Sequence, residues 1–450
     1  MLEISHDHRG ADGGAAADAC VAIVEAAPSS AAAAFTVVRR HEELAALAET
    51  VARAGTVALD TETTGLDPLR DQLRLVQLGL PDGRTFLIDV FETGALGPVA
   101  EALADTTVVG HHLQFDLAFL RRHAGVEPRA RCTESASRLL DGGLSPHVKG
   151  HHSLRCVIER ELGVALDKTE QTSDWSGPLR PEQLRYAARD VAHLLRLHEV
   201  LAAKLRADGL ERVFDLERAL LPGVVALELD GVGVDRVAWE ALVTAGQAQA
   251  ADLRARLCGE LGIENPDAHQ QVARALRKAG VRIDRTSKEV LAGFGHMPIV
   301  RALLRYRAQS SFVRGAGLGV LSALEAHGDG RVHARLDPLA APTGRFGCRG
   351  PNLLALPRRA EVRRCIVPVG SVLIAADYAA IELRVLARVT GDERLRDIFN
   401  AGGDPHAPPQ PPRLASPRPP SALPSARLPR PSTSGSRSAW GRSASSPTRA

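Results

Sequence analysis

The sequence predicts a mixed α/β domain over residues 35–208, followed by a mostly helical region and a smaller part in which strands return. Three observations predict this order. Short apolar runs bounded by turn residues come first, helical patterns dominate afterwards, and one further strand-like run stands between two helices. Strands that are followed by helices, without strict alternation of the two, favour a mixed sheet flanked by helices.

The elements of this first domain are predicted from apolar runs and from the turn and helix-end residues that bound them. The predicted strands cover residues 35–38, 56–60, 73–80, 85–90 and 107–110. The turn signal Pro81-Asp82-Gly83 joins two of them as a hairpin. Predicted helices contain residues 41–54, 96–104, 115–123, 133–140, 154–162 and 181–208. Pro181 suits the first turn of a helix, and Gly163 suits the position just after a helix end.

The rest of the chain divides into three parts. Residues 209–406 have helical patterns up to 324, strand-like runs at 331–336 and 372–377, and a helix at 379–389. Residues 1–34 are rich in Ala, Gly and Asp and have no sustained period, which is typical of a disordered extension. Residues 407–450 contain eleven Pro, ten Ser and seven Arg, and no Lys, Asp, Glu or Tyr. Such a tail cannot bury enough apolar surface to become ordered.

Charge and composition narrow the function classes. The net charge of +3 becomes −4 when the seven arginines of the tail are left out. A mildly acidic body does not predict nucleic-acid binding through overall charge, so such binding needs local grooves or the tail. The six cysteines form no CxxC pair, which favours reduced thiols in a cytoplasm. No apolar run has the length of a membrane span, and the N-terminus lacks the pattern of a signal peptide.

Four acids and one tyrosine form the candidate catalytic set. Asp60 and Glu62 alternate at the end of a predicted strand, so their side chains share one face. Tyr186 and Asp190 are four residues apart on a predicted helix and share a face as well. Asp116 follows another strand. Converging carboxylates repel one another without cations, and hard divalent ions such as Mg²⁺ or Mn²⁺ are their natural partners.

Each of these pieces alone is common at a solvated turn or on a helix surface, but their order is specific. The segments VALDTETTGLD (57–67), VGHHLQFD (109–116) and QLRYAARDV (183–191) resemble the DEDDy exonucleases. That family includes the proofreading domain of bacterial family-A DNA polymerases and the ribonuclease D type enzymes. The resemblance covers roughly residues 35–205 and implies a ribonuclease H-like fold.

The resemblance also implies roles for single residues. Asp60, Glu62 and Asp190 would hold one of two divalent ions, and Asp60 would bridge to the second. Asp116 would reach the second ion largely through water, and Tyr186 would position the attacking water. His112, which stands where the family commonly has Asn, and Phe115 would contact the substrate.

Other acids and histidines nearby are interpreted as local structure. Asp67, Asp71, Asp89 and Asp174 are expected in turns or at the surface, and Trp175 is expected to pack rather than to stack on a base. The histidines at positions 111, 147, 151 and 152 have no Cys or acidic partner at zinc-like spacing. They are therefore interpreted as structural or solvated groups.

A second resemblance covers the later part of the chain. Thr343-Gly-Arg345 with Gly350-Pro-Asn352-Leu, and the segment ADYAAIELR (376–384), resemble the template–primer segment and the first palm motif of family-A DNA polymerases. The resemblance implies that Asp377 binds metal and that Glu382 lies against the sugar. It likewise implies that Arg345, Asn352 and Arg384 contact DNA.

The family's fingers helix and its later His-Asp-Glu motif have no counterpart in residues 407–450. We therefore expect a polymerase truncated within the palm, with synthesis lost. The tail is interpreted as an out-of-frame reading, and a genuine basic tail is the alternative.

The two resemblances together imply a bacterial, DNA polymerase I-like 3′→5′ exonuclease of replication or repair. It would use two divalent ions on single-stranded or frayed DNA 3′ ends, or on primer–template, in the cytoplasm beside the nucleoid. Two alternatives stay open. One is an RNA exonuclease of the ribonuclease D kind, and the other is a non-catalytic truncated product.

Overall fold

The computed structural model describes residues 34–142, 150–166, 173–370 and 372–405. Its first domain contains a six-stranded sheet in the order β1-β4-β3-β2-β5-β6. The pairs β2–β3 and β3–β4 are antiparallel and the other pairs are parallel, so the predicted mixed sheet is confirmed. The strands are β1 (Phe35–Val38), β2 (Thr56–Thr63), β3 (Leu73–Gly79), β4 (Thr85–Asp89), β5 (Thr107–Gly110) and β6 (Arg129–Cys132).

Helices cover both faces of this sheet. They are α1 (Leu44–Ala54), α2 (Val90–Thr93), α3 (Pro98–Asp105), α4 (Leu113–Ala124), α5 (Thr133–Asp141), α6 (Leu154–Leu162), α7 (Pro181–Ala192) and α8 (Leu194–Ala207). One apolar core joins α1, α3 and α4 to the sheet. On the other face, α7 packs against β3 and β4 and α8 packs near β2 and β5.

The alternation of β2 decides which face each of its side chains serves. Val57 and Leu59 belong to the core with α1, α3 and α4, whereas Ala58 belongs to the core with α8. Because side chains of a strand alternate between faces, Asp60 and Glu62 continue on the face of Ala58. Thr61 continues on the face of Val57.

Three local expectations needed correction. The strand that was expected to end at Asp60 runs on to Thr63, so the two acids lie within regular β structure. Strand β6 was not predicted, since its Arg-Ala-Arg-Cys sequence has little apolar signal. The single helix expected over 181–208 is interrupted at His193. The interruption lets α7 and α8 pack against different parts of the sheet.

The later part of the chain is mostly helical, as predicted. Its elements are α9 (Glu211–Asp230), β7 (Val232–Gly233), α10 (Arg236–Leu261), α11 (His269–Lys278), α12 (Lys288–Ala292), α13 (Pro298–Phe312), α14 (Leu318–His327), β8 (Arg331–Val332), β9 (Arg335–Asp337), β10 (Gly347–Arg349), α15 (Ala360–Arg364), α16 (Ile381–Thr390) and α17 (Glu393–Asn400). The expected strand at 331–336 is two short strands, which pair with β7 and β10 respectively. None of the helices in the described ranges has the length and apolar character that a bilayer crossing requires.

The chain separates into two compact units, with the division between Leu373 and Ile374. In the described part of the second unit, α16 packs against α17. The strand predicted over 372–377 is wrong, because residues 372–377 have no regular structure. Its backbone lacks a neighbouring strand among the described residues, so the hydrogen bonds of a sheet cannot form.

Candidate active site

Three carboxylates meet on the α7 face of the sheet. One carboxylate oxygen from each of Asp60, Glu62 and Asp190 lies within 4.8 Å of the other two. Asp60 and Glu62 reach this point because they are two residues apart on β2, and Asp190 reaches it from the buried face of α7. The structure thus brings together three of the acids that the sequence analysis selected.

Asp116 approaches the cluster from the opposite side of the sheet. It lies on the first turn of α4, is 2% exposed, and accepts a hydrogen bond of 2.6 Å from the Thr61 hydroxyl. Thr61 projects toward α4 because it lies between Asp60 and Glu62 on the strand. Asp116 therefore lies beside the other three acids but is reached from a different helix. Its hydrogen-bond partner, Thr61, was not among the residues predicted for the site.

The electrostatics of the cluster are unfavourable for four negative charges. Burial raises the pKa of Asp60 well above its ordinary value, and the nearby charges of Asp116 and Asp190 raise it further. Burial and the same two charges raise the pKa of Glu62 as well. The pKa of Asp116 rises to about 6 through burial, although the hydrogen bond from Thr61 opposes the rise. Full ionisation of the cluster therefore requires a compensating cation.

The donor set fits a hard divalent ion. All the ligand atoms of the cluster are carboxylate oxygens, and Asp60, Glu62 and Asp190 are close enough to share one ion after small side-chain rotations. Mg²⁺ and Mn²⁺ prefer such oxygen ligands.

Tyr186 lies beside the carboxylates on α7. Its side chain is 6% exposed, and its phenol is hydrogen-bonded to Asp190, one helical turn away. Burial and the neighbouring negative charges raise the pKa of the phenol, so the group stays protonated and can donate. Trp175 packs next to it, with ring centroids 6.5 Å apart, and is itself buried. The packing role expected for Trp175 agrees with this position.

The carboxylates open into a cleft of about 1210 Å³. One wall is made by Asp337 and by the residues from Leu339 to Pro342, which belong to the later part of the chain. Arg138 on α5 holds this wall through Asp337 Oδ1 at 3.1 Å and the Leu339 carbonyl at 2.5 Å. The entrance to the carboxylates is thus shaped by segments far apart in the sequence.

His112 and Phe115 line the same cleft, as their predicted role in substrate contact requires. His112 is the residue before α4 and has left-handed backbone angles, with φ 61° and ψ 36°. Its Nδ1 lies 2.6 Å from a carboxylate oxygen of Glu134. The hydrogen bond to Glu134 raises the pKa of His112, which favours its cationic form at the cleft surface.

Two residues of the polymerase-like motifs, Arg345 and Asn352, lie in the first unit, and Asp377, Glu382 and Arg384 lie in the second. Asn352 accepts a hydrogen bond of 3.2 Å from Ala355 N, and Arg345 is exposed. In the second unit Asp377 is exposed in a segment without regular structure, and Glu382 lies on the first turn of α16. Arg384 stacks over the Phe399 ring at 4.4 Å. Asp377 belongs to none of the candidate metal-binding groups found in the described ranges.

Two interpretations of neighbouring residues needed correction. Asp89, expected in a turn or at the surface, is 2% exposed and forms a buried ion pair with Arg74. His151 and His152, expected to lack an acidic partner, lie beside Asp141. Neither contact was predictable from local patterns, because each joins residues of separate elements. His147 lies outside the described residues.

Asp71, Asp174 and His111 behave as expected, whereas the carboxylate of Asp67 also lies 2.8 Å from His327 Nε2, in the later part of the chain. Asp71 accepts a hydrogen bond from Asp67 N, and Asp174 accepts one from Ser176 N. These are turn contacts. His111 is held between the Thr133 hydroxyl at 2.9 Å and the His152 carbonyl at 2.8 Å, which is a structural role.

Sequence reasoning missed several polar neighbours of the site. Gln77 is fully buried opposite Asp60 in the β2–β3 ladder, and its amide nitrogen lies 3.5 Å from Glu62. A polar residue within the apolar β3 was the only signal that could have found it. Glu134 and Arg138 had no signal, because their partners come from other elements.

Comparison with known proteins agrees with this geometry. Residues 35–206 match the family model described as 3′-5′ exonuclease. Residues 243–409 match the model described as DNA polymerase family A. Two separate stretches of the chain are therefore similar to the 3′-5′ exonuclease and to the polymerase region of DNA polymerase family A.

The chain spans part of the length of the curated relatives that it matches. The chain is 29% identical to DNA polymerase I of Aquifex aeolicus over 382 residues, or 77% of this chain and 62% of that protein. It is 30% identical to DNA polymerase I of Rhizobium leguminosarum over 414 residues, or 78% of this chain and 40% of that protein. The POL domain of Pol1 from M. smegmatis, solved with DNA primer-template and dNTP, superposes with a TM-score of 0.67. That match has 21% identity and covers 82% of this chain and 65% of that one, so it shows the fold.

Proposed function

We propose that this chain is a metal-dependent 3′→5′ exonuclease that removes nucleoside monophosphates from single-stranded or frayed DNA 3′ ends. The observation that carries the proposal is the convergence of Asp60, Glu62 and Asp190 within 4.8 Å in an open cleft. An oxygen-only cluster of this kind suits divalent ions that act on phosphodiesters. Similarity of residues 35–206 and 243–409 to the models described as 3′-5′ exonuclease and DNA polymerase family A supports the same reaction.

Each residue of the site has a proposed task. Asp60, Glu62 and Asp190 would hold one divalent ion, and Asp60 with Asp116 would hold a second. When bound, two ions supply an activated water and charge stabilisation of the leaving oxygen. Tyr186 keeps its proton and, held by Asp190, orients the attacking water through its hydroxyl.

The cleft itself supports a single-stranded substrate. Its wall from Leu339 to Pro342 stands close to the carboxylates and is fixed by Arg138. His112, with its raised pKa, and Phe115 offer a positive charge and an aromatic ring along the approach. These groups suit a phosphate and a base of a threaded strand.

DNA is proposed over RNA because the relatives are DNA polymerases I and the chain contains a polymerase family-A region. The carboxylates alone would serve a ribonuclease D type enzyme equally well. Rates on DNA and RNA oligonucleotides of one sequence distinguish the two substrates. The proposed setting is the bacterial cytoplasm, in contact with the chromosome.

The activity test uses a 5′-labelled single-stranded DNA and the full chain with Mg²⁺. We expect stepwise shortening from the 3′ end, loss of the activity with EDTA, and loss in Asp60→Ala. Asp105→Asn, an exposed acid at the end of α3, is the matched control and should retain activity. Shortening that survives Asp60→Ala would refute the assignment, and a folded but inactive wild type would favour a non-catalytic product.

We also propose that the 450-residue chain does not extend a primer by itself. Nucleotidyl transfer needs metal ions held by more than one carboxylate and a positive clamp on the triphosphate. Asp377 is exposed on an irregular segment, and residues 407–450 contain seven Arg but no acid that could act as a second metal-binding carboxylate. Primer extension is measured in the Asp60→Ala background, so that degradation cannot hide synthesis. Template-directed addition of nucleotides would overturn this proposal.

A further inference from the structure

A second group of metal-ligating side chains lines the cleft, on a different part of its surface from the carboxylates. Asp141 is the last residue of α5, and His151 and His152 precede α6. One ligand atom from each of the three lies within 4.8 Å of the other two. We propose that Asp141, His151 and His152 bind a divalent transition-metal ion of the Zn²⁺ type.

The distances within this group suit a small ion. His151 Nε2 lies 3.8 Å from Asp141 Oδ1, and His152 Nε2 lies 3.7 Å from Asp141 Oδ2. Zinc bonds of roughly 2.0–2.2 Å place tetrahedral ligand atoms about 3.3–3.6 Å apart. Small side-chain rotations close the difference. The two imidazole rings are nearly perpendicular, at 87°, so both can direct a nitrogen toward one point.

His152 is already oriented as a metal ligand. Its Nδ1 lies 2.9 Å from the hydroxyl of Ser137, a residue of α5 that is 2% exposed. That contact occupies Nδ1 and leaves Nε2 facing Asp141. Metal-bound histidines usually use their second nitrogen in this way, and the contact fixes the ring.

His151 also faces the site with Nε2, which lies 3.8 Å from Asp141 Oδ1. Arg160 Nη1, a donor, lies 3.3 Å from the same nitrogen. An ion at the site would replace that donor. Arg160 also donates hydrogen bonds to Glu161 Oε1 at 2.9 Å and to Ser137 Oγ at 2.8 Å. These two contacts would keep its guanidinium group paired when the ion binds.

The ligand types separate this site from the carboxylate cluster. Two imidazoles and one carboxylate favour Zn²⁺ and related transition ions, whereas a cluster of carboxylates alone favours Mg²⁺ or Mn²⁺. A zinc-type ion would link the end of α5 to the start of α6 beside the exonuclease cleft. It would therefore stabilise this wall of the domain, and it does not depend on the proposed exonuclease activity.

The test is a calorimetric titration of the full chain with Zn²⁺ in excess Mg²⁺, which is added to compete for the carboxylate cluster. We expect one zinc ion per chain, and His152→Ala and Asp141→Asn should each weaken its binding at least about tenfold. His296→Ala, which removes an exposed histidine far along the chain, should bind zinc as the wild type does. Asp60→Ala should also bind zinc as the wild type does, although it should lack exonuclease activity. Failure of the zinc proposal and failure of the exonuclease proposal can therefore be distinguished.

Circular dichroism identifies variants that fail to fold, and the wild type provides an independent measurement. Zn²⁺ in the presence of Mg²⁺ should raise the midpoint of thermal unfolding of the wild type, and the two ligand variants should lack this rise. Co²⁺ should give the visible absorption of nitrogen ligation in the wild type. A wild type that binds no zinc in excess Mg²⁺, or ligand variants that bind it as tightly as the wild type, would overturn the proposal.

Discussion

The burial of Asp116 makes a prediction about stability that is separate from catalysis. This carboxylate is 2% exposed, and its folded pKa of about 6 lies above its ordinary value of 3.8. A raised pKa means that the folded state disfavours the ionised form. Replacing the acid by its neutral isostere, Asp116→Asn, should therefore stabilise the metal-free protein while it removes a proposed metal ligand. Thr61 can still donate to the amide oxygen.

The size and pH range of the effect follow from the two pKa values. They differ by about 2 units, and one unit corresponds to about 1.36 kcal/mol, so the ionised group costs up to about 3 kcal/mol. The penalty is absent below the ordinary pKa of 3.8, grows as the pH rises, and is complete above pH 6. Asp116→Asn should therefore gain stability at pH 8 and gain little at pH 4.

The assay is urea unfolding in EDTA, followed by tryptophan fluorescence, because Trp175 is buried in this domain. Asp105→Asn serves as the exposed control and should leave the unfolding free energy unchanged. Mg²⁺ should stabilise the wild type more than the variant, because the ion offsets the repulsion that the variant no longer has. An Asp116→Asn protein that is no more stable than the wild type at pH 8 without metal would refute the reasoning.

Three further changes test other contacts. Tyr186→Phe should lower kcat roughly 10²-fold or more and leave Mn²⁺ binding intact, since the phenol is assigned to water and not to metal; an unchanged kcat would remove that role. Arg138→Ala should raise KM for single-stranded DNA and speed limited proteolysis between Asp337 and Pro342, because the wall loses both contacts; unchanged cleavage would show that the wall is held elsewhere. Asp89→Ala should lower the unfolding free energy by about 3–5 kcal/mol, because it leaves Arg74 buried without its partner. Disruption of the exposed Asp82 pair in Asp82→Ala should have far less effect in the same urea titration.

Local patterns in the sequence were enough to predict most of the first domain. The apolar run before Asp60 predicted β2, and the turn signal Pro81-Asp82-Gly83 predicted the hairpin of β3 and β4. The same kind of information predicted which acids share a face. Asp60 and Glu62 are two apart on a strand, and Asp190 comes from the face of α7 that packs against the sheet. These relations depend only on the periods of strands and helices.

Contacts between separate elements were beyond such reasoning. Thr61 supports Asp116 across 55 residues, and Gln77 reaches Glu62 only through the register of β2 with β3. Asp141, at the end of α5, contacts His151, just before α6, in the same way. Polar residues of this kind have no period, so their partners become visible only when the elements are assembled.

The segment 372–377 is the opposite case, in which a strand was predicted and is not formed. This error also arises because local patterns do not reveal contacts between separate elements. Val372, Leu373 and Ile374 have the composition of a buried strand, as β3 has. Strand β3 is buried along its whole length because β2 and β4 flank it and helices cover it. The three residues at 372–374 lack such neighbours in the described part of the chain and are 71%, 62% and 86% exposed. An apolar run therefore forms a strand only where neighbouring strands can hydrogen-bond to it. The metal-binding role implied for Asp377 requires such neighbouring strands as well.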